Sequence, residues 1–185
     1  MAKCEDSGEG ARLVESLAER VMIALNDLCL KPDEREWGNT GWTQRVKSAV
    51  TRLAHDAGHK AYASRGVPEA DGREWLYDVT WLDHSPKDDR LIRTILVLES
   101  EWSWSWKQIV YDFHKLLVAR ADLRVMVFQV SNESKWKETA HRLISLIEQH
   151  EQTSRGDRYL LSGWVQATRS FRHHEYVHGT TQTMG

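Results

Sequence analysis

Cysteine is scarce in this chain, and neither sign of charge dominates; each shortage removes a class of function. The two cysteines, Cys4 and Cys29, show no CxxC or CxxxC spacing. That argues against a zinc ribbon or a disulfide framework and for free thiols in a reducing compartment. Lysine and arginine together number 25 against 27 acidic residues, a formal net charge of −2. Such a balance lacks the basic footprint of a protein that grips nucleic acid through many phosphate contacts. A hydrolase of nucleic acid stays open, because a bound metal can supply the local positive charge. No apolar run approaches the ~18 residues of a membrane span, and the opening MAKCEDSGEG has no signal-peptide core. The expectation is a cytoplasmic protein with no membrane partner. GxGxxG, P-loop and GxSxG motifs are all missing, so nucleotide-dependent and serine-hydrolase readings have no support.

What is present is a hydrophobic content of 41% over 185 residues, enough for one domain with a sizeable core. Residues 1–9 read as a polar leader, 10–178 as a single α/β domain and 179–185 as a tail. Leu13, Leu17, Val21, Ala24 and Leu28 recur at helical spacing over 11–30. A breaker-rich loop (31–41) precedes a helix opening at Thr43 and stopping at Gly58. A short strand over 59–65 and a turn over 66–72 lead into strands at 74–83 and 93–103, joined by the polar linker DHSPKDDR. A helix from about Ser105 to Arg120, a continuously apolar strand LRVMVFQV (123–130) and a helix over 134–152 follow. Two strands, 158–166 and 170–179, close the chain. There is no internal repeat or low-complexity segment, and the order argues for one central mixed sheet of about four to six strands flanked by helices.

The strands EWLYDVTWLD (74–83) and RTILVLESEWS (93–103) carry the chemistry. Asp78 lies within the first, and Glu99 and Glu101 stand where the apolar run of the second stops. An acidic side chain in an apolar strand is costly unless a cation or hydrogen-bond partner satisfies it. Adjacent strands bearing Asp and Glu–x–Glu suit a hard cation such as Mg²⁺, which prefers oxygen ligands. If the pleat continues through Ser100, Glu99 and Glu101 share a face, and two-metal chemistry becomes available.

Read in order, helix, strands, Asp, turn, strand, Glu–x–Glu, helix, strand resembles the core of the PD-(D/E)xK, or restriction-endonuclease-like, nuclease superfamily over about residues 43–130. The resemblance implies a restriction-endonuclease-like fold and Mg²⁺-dependent hydrolysis of phosphodiester bonds in DNA, with Mn²⁺ as a substitute. Asp78 then matches the metal-binding Asp, Glu99 the acidic member of (D/E)xK and Glu101 the position usually held by Lys. Glu101 becomes a ligand to a second ion or an orienter of water. In several branches the lysine sits on the following helix, and in IVYDFHKLLVAR (109–120) Lys115 is the matching candidate, to stabilise charge on the scissile phosphate. Its bland reading is an exposed i,i+3 pair with Asp112. Many such enzymes cut as dimers, which makes a homodimer the assembly to look for. The alternative function is a catalytically inactive nuclease-fold protein serving as a protein- or nucleic-acid-binding module.

Other features weigh less. In ESEWSWSW, Trp106 has core spacing, whereas Trp102 and Trp104 either cover a sheet end or stack on bases. His55 and His59 stand i,i+4 without an HExxH glutamate, and His173, His174 and His178 have no cysteine partners; the first group reads as a solvated pair and the second as a polar sheet face rather than as zinc ligands. Arg45, Lys47, Arg52, Lys60, Arg65, Lys87, Arg90 and Arg93 flank the acidic site in sequence and would meet phosphates only if folding gathers them on one face.

Overall fold

The computed structural model describes residues 16–30, 37–64 and 66–180. Helix α1 (Leu17–Leu28) is set by a capping box: the Ser16 hydroxyl accepts the Glu19 N–H and the Glu19 carboxylate accepts the Ser16 N–H. It buries Ala18, Val21, Leu25 and Leu28. Near its end the Cys29 thiol donates to the Leu25 carbonyl at 3.8 Å; Cys4 lies outside the described residues. Helix α2 (Asn39–Asp56) opens at Asn39 rather than at Thr43. Trp42 draws this extra turn onto the core, where its ring stacks with Trp102 at 5.0 Å and meets Trp164 at 4.6 Å. Gly58, at φ +77°, takes the left-handed conformation that follows the helix.

The strands are β1 (Lys60–Ala63), β2 (Gly72–Arg73), β3 (Val79–His84), β4 (Leu91–Glu101), β5 (Leu123–Val130), β6 (Arg158–Val165) and β7 (Ser170–Val177). Among the described residues they form one mixed seven-stranded sheet in the order β2-β1-β3-β4-β5-β6-β7. Strands β1, β3 and β4 are an antiparallel meander. Strands β4, β5 and β6 run parallel, which requires crossovers, supplied by α3 (Trp106–Leu117) and α4 (Glu133–Gln149). β7 closes the sheet as a hairpin on β6.

Two sequence expectations need correction. The sheet has seven strands, not four to six: β2 starts at the last residue of what reads as a turn and pairs parallel to β1 through Tyr62 and Ala63. Two residues carry no alternation that could announce a strand, and Gly72 is needed there because a Cβ would meet the Tyr62 ring at 2.9 Å. Strand β3 starts at Val79, not at 74, so Asp78 stands at the mouth of the strand instead of within it.

The two faces of the sheet carry separate cores. Helices α1 and α2 cover the side with Leu96, Leu98, Val125 and Val127. Helices α3 and α4 cover the side with Val97, Met126, Phe128 and Leu161. Period-2 alternation from Leu96 to Leu98 thus assigns side chains to alternate layers, while a bulge opposite Trp81 and Leu82 lets Ile95 join Leu96 on the α1–α2 side. Contact is closest at Gly163, where a Cβ would lie 2.5 Å from Trp136 Cε3 and 3.2 Å from Phe128 Cε2. Gly163→Ala is expected to cost about 1–3 kcal/mol by overpacking. Urea unfolding checks it, and an unchanged midpoint would mean that the α4 indole yields freely.

Candidate active site

The site forms where β3 begins and β4 ends. Val79 pairs with Leu98, so Asp78 enters beside Glu99 on the neighbouring strand. One oxygen of Asp78, Oδ2, accepts the Ser100 backbone N–H at 2.9 Å. The other, Oδ1, takes Lys47 Nζ at 2.5 Å, and the same ammonium donates to Ser64 Oγ at 2.8 Å. Lys47 is 5% exposed, an unusual burial for lysine. It comes from α2, on a face shared with Val50, Thr51 and Ala54 at i+3, i+4 and i+7.

Glu99 is held from the other layer. Its side chain is 2% exposed, and Oε2 accepts Lys115 Nζ at 3.0 Å. Lys115 also reaches Asp112 Oδ1 at 2.8 Å, so the i,i+3 pair and the reach to the strand coexist in one ammonium. The second oxygen, Glu99 Oε1, is buried without a hydrogen-bond partner. Burial, and next the Asp78 charge, push the Glu99 carboxyl up to about 8 against the pull of Lys115. Burial works against the Lys115 ammonium, but its bonds to Asp112 and Glu99 outweigh that and hold it protonated. Burial and then Glu99 raise the phenol of Tyr77, which adjoins Asp78 in sequence.

Strand β4 continues through Glu101, so Glu99 and Glu101 share the α3 face. Glu101 is drawn away from the other two: Oε1 accepts the Ser103 N–H at 2.6 Å and fastens the turn after the strand. Folding therefore brings Asp78, Glu99 and Lys115 to one sheet end, with Glu101 at its margin.

Comparison with protein-family models, curated proteins and solved structures finds no match. The site is thus read from its own chemistry.

Lys47 is the functional candidate that sequence reasoning passed over as one basic residue among several. A signal existed, since a lysine on the apolar face of a helix needs a buried acid. Several of the other basic residues in that set are already engaged. Arg52 pairs with Glu69 at 2.7 Å, Lys60 with Asp89 at 2.6 Å and Arg93 with Asp122 at 2.8 Å. Arg45 lies over Trp37, and Arg65 is outside the described residues.

The tryptophans divide. Trp102 is 3% exposed inside the α2-side core and Trp104 is 55% exposed. Trp106 is partly buried, with the Arg142 guanidinium 3.6 Å from its ring centroid. Of the histidines, His55 pairs with Asp71 at 2.9 Å and His173 bridges Ser162 Oγ and Asn26 Oδ1, whereas Nδ1 of His59 and of His178 is buried without a hydrogen-bond partner. Burial, and next the charge of Arg172, lower His173 to about 4, so it stays neutral at physiological pH.

Proposed function

We propose that this chain is a Mg²⁺-dependent phosphodiester hydrolase acting on DNA, built on a restriction-endonuclease-like core. The observation that carries the reading is Glu99 Oε1, a buried carboxylate oxygen without a partner beside a second carboxylate, Asp78. The order helix, three-strand meander, helix, parallel strand over α2–β5 supports the same core.

The donor set fits a divalent cation. Mg²⁺ is commonly held by one or two carboxylates plus water and substrate phosphate, so Asp78 and Glu99 suffice without a cluster of three protein ligands. Among the described residues no such cluster of three occurs. Bound there, the cation would supply Lewis-acid activation of the scissile phosphate and of the attacking water. Asp78 and Glu99 would hold and orient it. The Ser100 amide and Lys47 fix the Asp78 carboxylate, and Lys115, kept protonated, stabilises negative charge on the phosphate as the water oxygen adds and the ester oxygen leaves. A lysine held above its ordinary pKa does not act as a general base. Glu101 serves as an outer ligand or orients water.

One observation favours the second reading, an inactive nuclease-fold protein that binds a protein or nucleic acid: each carboxylate already carries a lysine. Cleavage of plasmid and single-stranded DNA with Mg²⁺ or Mn²⁺ separates the two. Metal-dependent cutting lost in both Asp78→Ala and Glu99→Ala is the expected result. No cutting with either ion, or cutting that survives both substitutions, would favour the binding module.

A further inference from the structure

We infer that the rim of the carboxylate site is a stacking platform for unpaired nucleobases, so that the strand presented to it is single-stranded or locally melted nucleic acid rather than intact duplex. The inference rests on the phosphodiesterase reading for its chemistry, but the binding it describes can be tested without turnover.

Four exposed large hydrophobic side chains, Trp75, Leu76, Trp104 and Tyr111, lie on the segments that carry Asp78, Glu101 and Lys115. Trp75 and Leu76 immediately precede Tyr77 and Asp78 on the approach to β3. Trp104 occupies the turn between the last residue of β4, Glu101, and the first of α3, Trp106. Tyr111 lies one helical turn before Lys115, whose Nζ is 5.9 Å from its ring centroid and 3.0 Å from Glu99. The Trp75 ring is backed by Tyr62 at 6.2 Å, nearly parallel, so it is held in place rather than loose.

A core role would bury these rings, as it buries Trp102 two residues before Trp104. Exposed aromatic side chains on each segment that delivers a site residue mark recognition rather than packing. The charge pattern narrows what is recognised. Duplex binders rely on lysine and arginine contacts to phosphate, and here the two lysines at the site are already engaged, Lys47 buried against Asp78 and Lys115 bound to Glu99 and Asp112. A strand whose bases are already unstacked can instead lay their π-faces on tryptophan and tyrosine, largely without sequence preference. An intact duplex offers such rings only its end pairs.

Binding of short fluorescein-labelled single-stranded DNA, single-stranded RNA and duplex DNA of one sequence, by anisotropy in EDTA, tests this for wild type, Trp75→Ala, Trp104→Ala and the double variant. Thermal unfolding should leave the variants unchanged, since the removed rings are exposed. Single strands are expected to bind at least tenfold tighter than duplex, and each tryptophan removed should cost about tenfold in affinity. The two single-strand arms then show whether deoxyribose or ribose strands are preferred. Duplex binding as tight as single-strand binding, no binding to any probe, or affinities that ignore both tryptophans would overturn the inference. Parallel cleavage assays with Mg²⁺ keep the two readings apart. Tryptophan-dependent binding without cutting leaves the platform standing and removes the nuclease. Metal-dependent cutting of duplex that both variants retain does the reverse.

Discussion

Glu99→Gln is expected to lower metal-dependent cleavage by at least about a hundredfold and, without metal, to flatten the loss of stability between about pH 4.5 and 8. The amide keeps the shape of the side chain and an acceptor for Lys115 but cannot ionise. In the wild type the folded carboxyl titrates near 8 and the unfolded one near 4.5, so within that window the folded state holds a proton that the unfolded state has released. Stability therefore falls as pH rises through the window, by on the order of a few kcal/mol, and levels off above it. The groups facing Glu99 are Asp78 from the β3 entrance, Lys115 and Asp112 from α3, and the Tyr77 phenol. The Lys115 contribution does not enter this window, because its raised pKa gives stability that is lost only above the ordinary lysine value. Urea unfolding at pH 5 and pH 8 in EDTA measures the difference. Parallel pH profiles for wild type and Glu99→Gln would show that the carboxyl is well solvated, and the case for a buried metal ligand would lapse. A cation that binds ionised Glu99 should also restore wild-type stability at pH 8 and leave the variant unmoved, by mass action on the folded state alone.

The second large effect is expected at Lys47. Removing one partner of a buried ion pair leaves the other uncompensated and typically costs about 3–5 kcal/mol. Lys47→Met keeps the apolar stem among Val50 and Ala54 while stripping the ammonium from Asp78 and Ser64, so its cost reports the lost charge rather than lost packing. Lys47→Met combined with Asp78→Asn should recover much of that loss, because it leaves no orphaned carboxylate. A double-mutant cycle by urea unfolding measures the coupling. Additive single effects would mean that the 2.5 Å pair is not an energetic unit. The pair also bears on catalysis. A cation at Asp78 shares that carboxylate with Lys47, so Lys47→Met should tighten Mg²⁺ binding if the ammonium competes and weaken it if it orients the ligand.

Local chemistry carried a good part of this protein into view from sequence. The continuous apolar run of β5, bounded as expected at 123–130, has no polar position to spare for solvent. The 3.6-residue stripes of α3 and α4 announced helices, and acids within or at the end of an apolar strand marked Asp78 and Glu99 as side chains in need of partners. Lys115 became a candidate through the resemblance to nucleases whose lysine sits on the helix after the acidic strand, whereas its own spacing suggested only a pair with Asp112.

What the tertiary structure decided are matters of which faces meet. The alternating tryptophans at 102 and 104 look alike along the chain, yet one stacks on Trp42 and the other meets solvent. Lys47 looks like its basic neighbours until α2 packs on the sheet and aims it at Asp78. Strand β2 has no pattern of its own and exists only because β1 offers an edge. The orphaned oxygen of Glu99 belongs to the same class, since desolvation depends on α3 closing over β4. Periodicity and side-chain chemistry are written within one segment and can be read there. Register, burial and the choice of ion-pair partner arise between segments far apart in the chain, and only the packed sheet with a helical layer on each face determines them.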